Sequence, residues 1–146
     1  MISAGQFRVS LHVSHPSLPA DGILSAIALQ PRYARSAGAP RVTKQGKELG
    51  GVYAKTDISF AVSDGVLSND DVPLSEFVGR AMDELALNEI DQIVASGGAC
   101  FFLVGIYSEG NLLCDFDARL LARLANHSMG MKLDFYGGPE NAVSQQ

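Results

Sequence analysis

The ten residues 99–108, ACFFLVGIYS, constrain the fold of this chain more than any other stretch. The run is almost entirely apolar, rich in aromatic and β-branched residues, and has the length of a strand. A strand that is apolar on both sides belongs in the middle of a sheet, with its second face either covered or in contact with a partner. We therefore predict a sheet in which this segment is a central strand.

Three other segments alternate between apolar and polar residues, with the period of two that is typical of half-buried strands. They are residues 7–14, FRVSLHVS, and 52–62, VYAKTDISFAV, and the shorter 131–136, MKLDFY. In the last strand, Met131, Leu133 and Phe135 are expected to point inward. Each alternation predicts one side packed on the core and one polar side.

Apolar residues at helical spacing lie between these strands. They predict helices over residues 20–29, 74–85, 89–96 and 118–128. The first helix must end before Pro31, because the residue preceding a proline is displaced from the helical region.

Several polar residues and glycines stand where helices are expected to begin or end. Asn88 is expected to cap the third helix, and Gly130 is expected to close the last helix in a left-handed conformation. The carboxylates of Asp70–Asp71 and of Asp115 or Asp117 directly precede helices. N-capping explains their positions better than acid–base or metal chemistry does.

The resulting element order is β-α-(loop)-β-α-α-β-α-β. It predicts an α+β two-layer sandwich of ferredoxin-like βαβ halves, with the helices on one face of a mostly antiparallel or mixed sheet. At 146 residues the chain has room for one core. We expect one domain over residues 1–138 and a disordered C-terminal tail over residues 139–146.

Net charge and hydropathy exclude several classes of function. A net charge of −5 argues against general nucleic-acid binding, which needs a surplus of Lys and Arg. No apolar run reaches the roughly 18–20 residues of a membrane span, and the N-terminus has no signal-peptide pattern, so we expect a cytoplasmic protein without a membrane partner. Cys100 and Cys114 form no CxxC motif and are expected to be buried, inert thiols.

Catalytic, phosphate-binding and metal motifs are missing from the sequence. It contains no GxxxxGK[ST], GxGxxG or GxSxG pattern. His12 and His15 are three residues apart on a strand, which sends them to opposite faces, so we interpret them as exposed histidines near a strand end. His127 suits the C-terminal end of a helix. We expect no metal and no cofactor, and the sequence contains no positive sign of catalysis.

The positive charge of this acidic chain is concentrated in residues 30–48, QPRYARSAGAPRVTKQGKE. This stretch holds Arg32, Arg35, Arg41, Lys44 and Lys47, five of the eleven basic residues. We predict a Pro/Gly-rich loop, and about twenty irregular residues are unusual in a compact domain. The loop either docks an anion or acidic partner or is a solvated segment that aids solubility.

The polar sides of the predicted strands would share one face of the sheet, next to one side of the central strand. A polar face with an apolar stripe at its centre is unfavourable when it is exposed to solvent. Either the basic loop folds over this face, or a second copy covers it as a homodimer. The polar residues are Arg8, Ser10, His12, Tyr53, Lys55, Asp57, Ser59, Lys132, Asp134 and Tyr136, and the apolar ones include Phe101, Leu103 and Tyr107.

Three short motifs carry a resemblance to a known family. They are LQP at residues 29–31, GVY at 51–53 and DFY at 134–136. With the order of strands and helices over about residues 6–138, the chain resembles the bacterial domain-of-unknown-function family numbered 4279. That family often has Trp where Tyr53 stands here. The resemblance implies a small single-domain α+β bacterial protein and no established activity.

Two functions remain open. The first is a non-catalytic binding or protein-interaction module that uses the sheet face and the basic loop, for example one that neutralises a basic toxin. The second is a binder or enzyme for a small anionic ligand, using the basic loop over residues 31–47. The candidate site residues are Arg32, Arg35, Arg41, Tyr53 and His12.

Overall fold

The computed structural model describes residues 5–137. The helices are α1 (Ala20–Ala26), α2 (Leu74–Glu84), α3 (Leu87–Ala95) and α4 (Ala118–Asn126). The strands are β1 (Gln6–His15), β2 (Gln30–Arg35), β3 (Pro40–Val42), β4 (Glu48–Val52), β5 (Thr56–Ala61), β6 (Leu67–Ser68), β7 (Ala99–Ser108) and β8 (Met129–Gly137). The tail predicted for residues 139–146 lies outside the described residues.

One sheet contains six of the strands. Its order is β2-β5-β1-β7-β8, with the short β6 paired to the start of β1. The central β1 is antiparallel to both β5 and β7, β2 is antiparallel to β5, and β8 runs parallel to β7. The strands β3 and β4 form a separate two-stranded sheet.

This order contains two interleaved βαβ units. Strands β1 and β2 are parallel with β5 between them, and β5 and β7 are parallel with β1 between them. Two such units make the ferredoxin-like arrangement, so the predicted α+β fold is confirmed. A third unit, β7-α4-β8, adds β8 at the edge beyond β7.

The core lies between the sheet and the helices. Alternate residues of β1, β5 and β7 point into it, and the register sets Leu11 between Phe60 and Phe102, all three with no exposed surface. Ile23 of α1, Val78 of α2 and Ile90 of α3 cover them in the same cluster. We call the other side of the six-stranded sheet the open face.

The basic segment is not the loop that we predicted. Gln30–Arg35 is edge strand β2, and residues 40–52 form the β3–β4 hairpin, with Gly46, Gly50 and Gly51 at positive φ. Every residue of β2, β3 and β4 is exposed, so these strands have no buried side to mark them in the sequence. Backbone pairing with β5 fixes β2 instead.

Three predictions about helix ends are wrong and one is confirmed. The Asn69 side-chain oxygen, and neither Asp70 nor Asp71, accepts the Leu74 amide at 2.9 Å at the start of α2. Asn88 lies inside α3, one residue after its start. Ser128 (φ 54°) has the left-handed conformation expected of Gly130, which belongs to β8. Asp117 caps α4 as predicted, accepting the Leu120 amide at 2.9 Å.

His15 corrects another prediction, because it is buried and not exposed. Its Nδ1 accepts the backbone amides of Ser17 (3.1 Å) and Leu18 (2.8 Å), and its Nε2 lies 2.9 Å from Ser96 Oγ. The ring therefore joins the end of β1 to the end of α3.

The last strand is less buried than its alternation suggested. Only Met129 and Met131 reach the core, whereas Leu133 and Phe135 are 40% and 67% exposed. Leu133 and Phe135 point to the helical side as predicted, since they pair with the buried Val104 and Ile106, but they are exposed and not part of the core. Among residues 5–137, no helix is long and apolar enough to cross a membrane.

Candidate functional site

The open face carries the polar residues that the alternation predicted for β1, β5 and β8. Across its centre, His12 pairs with Ser59 on one side and with Phe101 on the other, and one step away Ser10 pairs with Leu103. Phe101 in turn pairs with Gly130 of β8. Tyr53 and Lys55 precede β5, so they lie outside the six-stranded sheet, contrary to expectation.

His12 is the centre of this face. Its ring stacks on Phe101, with centroids 5.1 Å apart, and meets the edge of Tyr33 at 6.4 Å. Its Nε2 lies 3.3 Å from both Ser10 Oγ and Ser59 Oγ. Burial lowers the pKa of His12, and the charges of Arg32 and Lys132 lower it further, against an opposing effect from Asp57.

Cations lie over the aromatic rings of this face. The Lys132 ammonium is 4.1 Å from the Phe101 centroid, and the Arg35 guanidinium is 4.8 Å from the Tyr33 centroid. These distances are within the range of cation–π contacts. Burial and the Asp57 carboxylate raise the pKa of Tyr33. The rings therefore hold the cations at the surface without neutralising them.

A shallow cavity of about 140 Å³ lies on the open face, near the N-terminal end of β1. Arg8 and Arg32 line it together with Asp134. Arg32 sits at the irregularity between Pro31 and Tyr33 in the β2–β5 pairing, and such bulges turn a side chain away from its regular direction.

The floor of this cavity depends on a glycine. The stacked rings of Tyr107 and Tyr136, with centroids 5.1 Å apart, also line the cavity. A Cβ on Gly105 would lie 3.1 Å from the Tyr107 hydroxyl, so the small residue leaves room for these rings. The Tyr136 hydroxyl donates to Asp134 Oδ2 at 2.6 Å, and this hydrogen bond, more than burial, raises the pKa of Tyr136.

Among the described residues, the four cations of the open face form no salt bridge. Within residues 5–137 the salt bridges join Arg80 with Glu76, Arg123 with Asp83 and His127 with Asp91. None of them includes the open-face cations, and the carboxylates on that face are those of Asp57 and Asp134. The four cations are Arg8, Arg32, Arg35 and Lys132.

The structure brings together only some of the predicted site residues. His12 and Arg32 share the open face, and Arg35 lies between Tyr33 and Tyr53, 5.9 Å from the Tyr53 centroid. Arg41 belongs to the separate β3–β4 hairpin. Tyr53 has a structural role there, since its hydroxyl donates to the Val42 carbonyl and accepts the Val42 amide, each at 3.2 Å.

Sequence reasoning did not include Arg8, Lys132 or Ser59 in the candidate site. The period-two alternation placed each of them on the polar side of its strand, which was the available signal. Their proximity depends on the strand order, which brings β1, β5 and β8 into one sheet from distant parts of the chain.

The remaining chemistry of the described residues is sparse. No group of three or more His, Cys, Asp or Glu side chains is placed to hold a metal ion within residues 5–137. Burial raises the pKa of Cys100 to about 12, and burial also raises the pKa of Cys114. Thiols with raised pKa values are poor nucleophiles. Cys100 is buried as predicted, whereas Cys114 is only partly buried, contrary to prediction.

Comparison of the chain with protein-family models, with curated proteins and with solved structures finds no match in any of the three. The resemblance to family 4279 therefore stays a prediction, as does the cytoplasmic location.

Proposed function

We propose that this chain is a non-catalytic binding module whose open face takes an acidic segment of a partner protein. The observation that carries the proposal is a set of four cations on one face of an otherwise acidic protein that form no salt bridge within residues 5–137. Such a concentration of positive charge attracts acidic partners and orients them.

The centre of the face favours binding over catalysis. The serine hydroxyls beside His12 belong to Ser10 and Ser59, which are only 3% and 2% exposed. Neither can reach a substrate as a nucleophile without a rearrangement of the sheet. The hydrogen bonds of the His12 side chain join it to these two serines and to no carboxylate, so the third member of a catalytic triad is missing from the described residues.

The distribution of the cations favours an extended partner over a compact one. Arg35 lies on edge strand β2, and Lys132 lies on the opposite edge strand, β8. Four steps of about 4.8 Å separate these strands, so the charged surface spans about 19 Å. A segment of several acidic residues can contact all four cations, whereas a small anion cannot.

A small anionic ligand is the second candidate, and a specific observation favours it. The cavity of about 140 Å³ places two guanidinium groups, those of Arg8 and Arg32, around one space. Paired guanidiniums suit a carboxylate or phosphate group. Arg35, Arg41 and His12 do not line this cavity. The ligand site expected from the basic segment is therefore not formed by its predicted residues together.

Binding to poly-L-glutamate, measured by fluorescence anisotropy at low ionic strength, tests the proposal. We expect binding that weakens with salt, is lost in Arg32→Ala/Lys132→Ala and persists in Arg41→Ala, which removes a cation of the same segment outside the open face. Equal binding by all three proteins would overturn the proposal. Citrate or phosphate that raises the melting temperature through Arg8 and Arg32, with no binding of poly-L-glutamate, would favour the second candidate.

Neutralisation of a basic toxin would use the acidic surface away from the open face. No contact or cavity among the described residues favours that form of the function, which stays a prediction.

A further inference from the structure

Strand β8 is the last strand of the six-stranded sheet on the side of β7. Among residues 5–137, its residues 129–136 pair with a strand on one side only, which is β7. It contains no proline, and Leu133 and Phe135 are exposed on its helical side. Natural proteins usually protect an edge of this length and hydrophobicity, or use it to pair with another chain.

We propose that two copies of the chain pair antiparallel through β8, about a two-fold axis beside Leu133. The pairing joins the two sheets into one continuous sheet. This interaction is separate from the proposed partner of the open face and does not depend on it.

Symmetry restricts the registers that are available. In an antiparallel pair related by a two-fold axis, facing residues point to the same side of the sheet, so the axis must pass beside a residue. With the axis at Leu133, Lys132 of each copy faces Asp134 of the other, and opposite charges facing each other on neighbouring strands are favourable. The self-complementary order of these two charges is the observation that carries the proposal.

The other side chains of β8 match in the same register. Met131 faces Phe135 of the other copy, which brings a thioether next to an aromatic ring. Tyr136 faces Gly130, where the missing side chain leaves room for the ring. The exposed surfaces of Leu133 and Phe135 would be covered.

Neighbouring registers are less favourable. An axis beside Lys132 places two ammonium groups opposite each other, and an axis beside Asp134 does the same with two carboxylates. Like charges in facing positions destabilise a strand pair. An axis beside Met131 or Phe135 removes the contact between Lys132 and Asp134 and shortens the ladder.

The arrangement differs from the homodimer through the open face that the sequence suggested. If two open faces packed against each other about a two-fold axis, the cations of one copy would approach the same cations of the other copy and repel them. Pairing through β8 leaves both open faces on the same side of the joined sheet, since the axis is perpendicular to it. The two open faces then lie side by side, and Arg8, Arg32 and Arg35 of each copy lie outside the paired strands.

Size-exclusion chromatography with light scattering on a charge-swap series tests the register. We expect the wild type to have twice the 15.5 kDa mass of the chain. Lys132→Asp and Asp134→Lys should each shift the protein towards monomer. Residues 132 and 134 face each other in two symmetry-related pairs, and either variant places like charges in both pairs. The double variant Lys132→Asp/Asp134→Lys should recover the dimer. Lys55→Asp, at an exposed position outside the sheet, is the control and should remain dimeric.

Circular dichroism melting of each variant separates loss of pairing from loss of folding. A monomeric wild type at 200 µM overturns the proposal. A wild-type dimer that persists in both single variants also overturns it, because the contact would then lie elsewhere. A folded double variant that stays monomeric contradicts the register with Leu133 on the axis.

Discussion

The imidazole of His12 stacks on the ring of Phe101, with an angle of 15° between their planes. Lys132 lies over the same Phe101 ring, at 4.1 Å. An uncharged imidazole suits this position, because a proton on His12 would add a third cation to a partly buried site that already contains Arg32 and Lys132. The stack therefore links the charge of His12 to the stability of the open face.

We expect acid to destabilise the fold through His12. Its pKa in the folded state lies below the value of 6.5 in the unfolded chain, so the unfolded chain binds more protons between those two values. The contribution of His12 to the free energy of unfolding is then fully present above pH 6.5 and is lost as the pH falls through that interval. Urea unfolding at pH 7.5 and pH 5.5 should show a larger loss for the wild type than for His12→Gln, which does not titrate. Equal losses in the two proteins would contradict the assignment to His12.

Gly98 should not tolerate a side chain. A Cβ at this position would lie 2.8 Å from the backbone oxygens of both Ser14 and Ile93, and backbone atoms cannot move aside as a flexible side chain does. We expect Gly98→Ala to lower the free energy of unfolding by about 3 kcal/mol, at the upper end for overpacking.

Gly79, inside α2, is the matched control for Gly98, because a Cβ there meets nothing within 4 Å. Gly79→Ala should stabilise the protein by about 0.5–1 kcal/mol, as expected for replacing a glycine within a helix. Urea denaturation of both variants gives the comparison. A Gly98→Ala protein as stable as the wild type would show that the close approach between β1 and α3 relaxes freely.

Asn69 should matter more for α2 than the acidic pair that follows it. Its side-chain oxygen accepts the Leu74 amide, one of the backbone donors that lack partners at the start of a helix. We expect Asn69→Ala to cost about 1 kcal/mol, similar to the loss of a capping side chain. Thermal melts should show a smaller change for Asp70→Ala and Asp71→Ala, since neither carboxylate accepts a hydrogen bond from α2. A larger effect of either aspartate would reverse this assignment.

The strands and the core were predictable wherever one side of an element is buried. The alternation of residues 7–14 and the helical spacing of residues 74–85 both reflect sides that pack on the core, and the structure has strands and helices there. Strand β2 was missed because all six of its residues are exposed and its hydrogen bonds to β5 leave no mark on composition. Its pairing depends on residues 57–61, far away in sequence.

The sequence predicted which side of each strand carries the candidate site residues, but not which of those residues become neighbours. Alternation alone put Arg8, His12 and Lys132 on the polar sides of their strands. Which of them become neighbours depends on the strand order, and the open-face orientation of Arg32 depends on an irregularity beside Pro31. No local pattern encodes either feature, since both arise from long-range pairing.

His15 should prove essential to the junction between β1 and α3. Its ring satisfies the amides of Ser17 and Leu18 through Nδ1, while Nε2 contacts the Ser96 hydroxyl, which itself donates to the Ile93 carbonyl at 3.0 Å. His15→Phe keeps the ring volume but leaves these amides without their acceptor, and each polar group left unsatisfied inside a protein costs about 1–3 kcal/mol. We expect a loss of about 3 kcal/mol in urea unfolding, against about 1 kcal/mol for Ser96→Ala, which removes only the contact at Nε2. If the two variants were equally stable, the Nδ1 hydrogen bonds would contribute little, and the turn after β1 would be held by its prolines instead.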